Sequence, residues 1–144
     1  MGAERRALRL LAEDADDLAV ISAALQDAVT RIGDIQFEPR GRRLTLAFNR
    51  FRWECAEDGG ERVRAGLQLG GVLTVKARKL RRDAADAVLE LLALTFDAGE
   101  APGGRITFAF AAGGDLAVEV ECIDAALADL SAPWPAPHKP EHEG

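Results

Sequence analysis

From Arg43 to Phe48 hydrophobic and polar positions alternate strictly. Leu44, Leu46 and Phe48 share one parity, and Arg43, Thr45 and Ala47 the other. A period of two predicts a half-buried strand, and this one reads as the central strand of a sheet. Phe51 and Trp53 have the opposite parity to the leucines, so the strand either bulges near Asn49 or is covered on both faces at its far end. Alternation returns at Val63–Leu69, Leu73–Ala77, Ile106–Phe110 and Leu116–Val120. Gly70-Gly71 and Gly113-Gly114-Asp115 supply turns, and the runs they join read as hairpins. Asp34–Glu38 also alternates, and Pro39–Arg42 turns it into the central strand. Ala7–Ala12 reads as a first, short strand.

Helical spacing appears twice. Leu18, Ile21, Leu25, Ala28 and Ile32 recur at intervals of three and four, behind Asp14 as N-cap. This predicts an amphipathic helix over Ala15–Arg31, closed by Gly33. Ile123, Leu127 and Leu130 predict a second, short helix over Asp124–Leu130. Ala84–Asp97 opens with strong helix formers, but Val88, Leu92, Leu94 and Phe96 followed by Gly99 and Pro102 favour a strand over Val88–Phe96. The expected fold is α+β: a strongly bent antiparallel sheet or partly open barrel of about seven strands, with one N-terminal and one C-terminal helix. Its topology resembles that of pleckstrin-homology-like domains. Residues 1–132 form a single domain in this reading, and 133–144 a Pro-rich extended tail holding Trp134.

Composition changes this picture little. The chain has 144 residues, 48% hydrophobic and 29% charged, the size and balance of one globular domain. No apolar run approaches the roughly 20 residues that span a bilayer. No secretory signal is read at Met1–Arg9, so the expected compartment is the cytoplasm. Cys55 and Cys122 read as reduced thiols packed as small hydrophobes, with a disulfide between them left open.

Charge matters more. The net charge of −6 divides into −3 over residues 1–30, +7 over 31–82 and −10 over 83–144. A basic middle segment can mark a binding face, or a surface complementary to another part of the fold. The acidic total argues against broad nucleic-acid binding.

The chemical candidates follow from that segment. Arg50, Arg52 and Trp53, joined by Lys76 and Arg78 from a neighbouring strand, could fork onto a phosphate or carboxylate beside a stacking aromatic. In the competing reading Arg52 and Trp53 pack together at a strand end, and the acidic C-terminal helix supplies counter-charges. His138 and His142 are weak metal candidates, because Pro140 lies between them and no third ligand is evident. Few acid–base or nucleophilic constellations are present: Glu119 and Glu121 pair on one strand face but read as solvated outward residues. No phosphate loop is recognisable, and no cofactor is called for.

The segments L-R-L-L-A-E-D-A-D-D-L-A-V-I-S-A-A-L-Q-D-A, N-R-F-R-W-E and V-E-C-I-D-A-A-L-A-D-L, with the Trp- and Pro-containing tail, resemble the family Domain of Unknown Function 2948 from about Leu8 to His142. The resemblance implies a bacterial cytoplasmic protein and carries no activity or site. The expected role is a small binding or adaptor module working through a protein partner or its own self-association. The alternative is an anion- or nucleic-acid-binding domain using the basic segment 40–82. An enzyme comes third.

Overall fold

In the computed structural model, residues 7–54, 60–81 and 83–135 are described. Alternation becomes strand almost wherever it occurs: β1 (Arg9–Ala12), β2 (Val29–Arg31), β3 (Ile35–Glu38), β4 (Arg43–Phe51), β5 (Glu61–Leu69), β6 (Val72–Arg78), β7 (Val88–Ala98), β8 (Gly104–Phe110), β9 (Asp115–Val120), β10 (Ala125–Asp129) and β11 (Trp134–Pro135). One helix, α1 (Ala15–Ala24), accompanies them. The hydrogen-bonded order is β1-β10-β5-β4-β2-β7-β8-β9-β6, with β3 also on β4 and β11 also on β5. All pairings are antiparallel.

This corrects the expected fold class. Eleven strands and a single helix among the described residues form an open sheet, not about seven strands flanked by helices at both ends. The segment expected as a C-terminal helix is β10, paired on one side with β1 and on the other with β5. Ala125–Asp129 has good helix formers, but so short a helix is marginal alone. As a strand it satisfies two open edges and buries Ala125 and Leu127. Tertiary pairing overrides propensity.

The Gly70-Gly71 turn is the second correction. β5 and β6 do not pair with each other; β5 pairs with β4 and β10, and β6 with β9. Gly71 takes φ +64, and the corner is tied to the β9–β10 connection by Gly70 N–H to Asp124 O and Glu121 N–H to Gly71 O, both 2.8 Å. The long ribbon β5–β6 against β10–β9 thus bends at one place, so its halves lie over a common core. Leu44, Leu46, Phe48, Ala65 and Leu67 from one half and Ile106, Phe108, Leu116 and Val118 from the other belong to one buried cluster. Each of the leucine, isoleucine, valine and phenylalanine side chains among them stabilises by about 1.5–3 kcal/mol relative to exposure.

α1 starts as expected, with the Asp14 carboxylate accepting the Asp17 N–H at 2.8 Å, but it stops at Ala24. Asp27 adopts φ 63, a left-handed conformation that Asp tolerates better than most residues. The β-branched Val29 and Thr30 then enter the sheet between β4 and β7. The Thr30 hydroxyl, buried, donates to Ala47 O at 2.6 Å. Leu18, Ile21 and Leu25 remain in the core, and α1 packs on β1 and β7.

β4 does not bulge. Its register with β5 runs unbroken from Leu44↔Leu69 to Phe51↔Arg62, so the far end is covered on both faces. Phe51 is fully buried there, with the Trp53 ring edge-on at 4.7 Å. Gly60, at φ +87, lies so close that a Cβ would come within 2.9 Å of Phe51 Cε1.

Candidate functional site

Two places in the molecule gather the basic middle segment. The first is the far end of β4. Strand parity puts Arg50 in the same inward row as Leu44, Leu46 and Phe48, and it is completely buried. On β10 the row Ala125, Leu127 ends in the same way with Asp129, whose side chain is 2% exposed. The two meet across β5. Arg50 Nε donates to Asp129 Oδ1 at 2.8 Å and Nη2 to Oδ2 at 2.9 Å. Its other side forks onto Glu54, Nη1 to Oε1 at 3.0 Å and Nη2 to Oε2 at 2.7 Å. With a contact from Nη1 to Phe51 O at 3.4 Å, all five guanidinium donors are engaged inside the protein.

Neighbouring groups extend this knot. Asp129 Oδ2 also accepts the Leu8 N–H at 2.7 Å, fixing the chain just before β1. Arg52, 2% exposed, donates to Glu61 at 2.7 Å and lies 3.8 Å from Glu54. Trp53 Nε1 donates to Gln26 O at 3.0 Å, joining the knot to the loop after α1. The electrostatics are mutual. Burial pulls the Glu54 pKa upward, but the hydrogen bond from Arg50, a backbone hydrogen bond and the charges of Arg50 and Arg52 outweigh it and hold the carboxyl below its ordinary range. Burial alone would lower the Arg50 pKa; its bonds to Asp129 and Glu54 reverse that and raise it.

The second place is β6. Lys76 and Arg78 do not join Arg50, Arg52 and Trp53: they lie on the last strand of the sheet path, which among the described residues pairs only with β9. Arg78 is exposed and donates from Nε, at 3.0 Å, and from Nη2 to the same Asp115 oxygen, Oδ2. Lys76, Lys79 and Arg81 are exposed and make no ion pair among the described residues. Val75 and Ala77 alternate with these charges and face inward, where they meet Ile35 and Phe37 of β3 across an apolar cleft of about 380 Å³. Leu44 and Leu80 complete most of its wall. The cleft lies between strands that do not pair with each other: among the described residues β3 pairs only with β4 and β6 only with β9. A single Val72 N–H to Arg42 O bond joins the two sides at one end. Arg50 is six residues further along β4 than Leu44, about 20 Å away, so the knot and the cleft occupy opposite ends of that strand.

Sequence reasoning singled out Lys76 and Arg78 but missed the apolar wall beside them. The signal was present as the inward parity of Val75 and Ala77; what it faced depended on the corner at Gly70-Gly71. Among the described residues no group of three or more His, Cys, Asp and Glu side chains is placed to hold a metal ion. His138, His142 and Cys55 lie outside the described residues, and Cys122 is half-buried beside the β9–β10 corner. No helix among them is long and apolar enough to cross a membrane.

The chain belongs to the family described as protein of unknown function (DUF2948), whose model matches residues 8–142. No curated protein and no solved structure matches it.

Proposed function

We propose that this DUF2948 member is a small, non-enzymatic cytoplasmic binding module or adaptor, acting through protein–protein contacts at the cleft between β3 and β6. One observation carries the reading: an apolar lining lies between two strands that, among the described residues, each pair with a single neighbour. Apolar surface left accessible between open edges is characteristic of interaction sites. The shifted ionisable groups at the β4 end belong to ion pairs and not to a substrate site. Arg50 responds to burial, Asp129 and Glu54, and Glu54 to burial and Arg50, so their shifts are explained by ion pairing within the knot.

The test is co-purification of the full chain at low and high salt, wild type against Val75→Asp. A stoichiometric protein that survives high salt with the wild type and is absent with the variant is expected, because apolar burial is not weakened by salt. Nucleic acid lost at high salt would instead favour the basic segment 40–82 as a phosphate-binding surface. A partner retained by Val75→Asp would remove the cleft from the reading.

A further inference from the structure

We propose that the cleft takes an extended segment of a protein partner, alternating apolar and acidic side chains, which adds as a further strand along β6. The inference rests on the protein-binding reading above and specifies the ligand. Three features converge on it.

The first is the backbone. In an antiparallel pair, alternate residues direct their N–H and C=O groups away from the partner strand. β6 has β9 on one side only. On the other side the Val72 N–H bonds Arg42 O at 2.9 Å, which anchors the start of β6 beside the β3–β4 hairpin. Beyond Val72 no further backbone hydrogen bond is made on that side of β6 among the described residues, so the edge can take a ladder.

The second is spacing. Val75 and Ala77 present apolar surface two residues apart, so an added strand places every second side chain over the same cleft, at intervals of about 6.6 Å. Ile35 and Phe37 supply the opposite wall. A phosphate backbone would meet the basic rim but leave this apolar lining without a partner.

The third is charge. Lys76 and Arg78 alternate outward along β6, and Lys79 and Arg81 follow directly. Arg78 is paired with Asp115, but Lys76, Lys79 and Arg81 have no ion pair among the described residues, and such positive charge on an edge strand discourages pairing with another copy of itself. The same charges favour a strand whose outward positions are acidic. The occupant is therefore a heterologous segment and not a second β6.

The test uses the full chain and a short synthetic peptide of alternating valine and glutamate. Controls are a valine–lysine peptide and a valine–glutamate peptide with a central proline, which removes a ladder donor. Saturable binding of the first peptide is expected, with slowed amide hydrogen exchange in β6. Lys76→Glu with Lys79→Glu should weaken it by about tenfold, equivalent to roughly 1.4 kcal/mol. Binding of the lysine or proline peptide as tightly as the first overturns the proposal, as does binding that leaves β6 exchange unchanged or no binding at millimolar peptide. If the peptide fails while Val75→Asp still loses a co-purifying protein, the strand-addition proposal falls and the protein-binding reading stands. If neither experiment responds, both fall.

Discussion

Arg50 and Lys76 come from the same basic segment and sit on strands of the same sheet, yet the fold treats them oppositely. Arg50 is buried, saturated by Asp129 and Glu54, and continues an inward-facing apolar row. Lys76 is exposed, without an ion pair among the described residues, and borders an apolar cleft. A buried ion pair contributes less to net stability than its short contacts suggest, because desolvation offsets most of the Coulombic gain. What such a pair does is fix geometry: here it ties β4, β10 and the start of β1 at one end of the molecule. An exposed, unpaired cation contributes almost nothing to folding and is available to a partner. Positive charge in a sequence thus says little until burial and pairing are known.

The largest effect should come from breaking the buried end. Asp129→Ala leaves Arg50 with half of its partners and the Leu8 N–H without its acceptor. It should lower stability by about 3–5 kcal/mol, measured by urea denaturation. Arg50→Met combined with Asp129→Leu should recover part of that loss, because it removes both buried charges together, while the Leu8 N–H stays without its acceptor. A double variant as unstable as Asp129→Ala alone would mean that the knot stabilises in its own right.

Acid should act on the same end more gently. The Glu54 pKa is lowered on folding, so its contribution is complete above the unfolded carboxylate value and is lost as pH falls through the folded one. The urea midpoint of the wild type should therefore drop below about pH 4.3, the ordinary glutamate value. Glu54→Gln should flatten that part of the curve while leaving the rest of the acid transition in place. Parallel curves would show that Glu54 is not coupled to folding.

How much of this was legible depends on the range of the signal. The alternation in β4, β8 and β9 was strong enough to specify both strand and facing. Arg50 itself was legible, since it shares the parity of Leu44, Leu46 and Phe48; its charge obscured the inference. Asp129 was not, because Ile123, Leu127 and Leu130 fit helical spacing as well as Ala125, Leu127 and Asp129 fit a strand. Only the free edges of β1 and β5 decide between them. Gly70-Gly71 permits a tight hairpin and a corner between layers equally, so the pairing of β6 with β9 depended on contacts far along the chain. The cleft inherits that ambiguity: its wall residues were readable as inward-facing, but not which strand they would face.

The smallest stability effect belongs to the exposed end, and it completes the contrast. Lys76→Glu with Lys79→Glu changes two solvated side chains that have no ion pair to lose among the described residues. Surface substitutions of this kind stay within about 0.5 kcal/mol, so the urea midpoint should barely move. Arg78→Ala should cost no more than about 1 kcal/mol, the upper range for an exposed pair such as that with Asp115. Against the valine–glutamate peptide the order should invert. The paired lysine reversals should weaken binding, whereas Arg50→Met with Asp129→Leu should leave it unchanged, since the knot lies at the other end of β4. If the lysine reversals instead unfolded the protein, their charges would belong to the fold after all, and the distinction between the two ends would collapse.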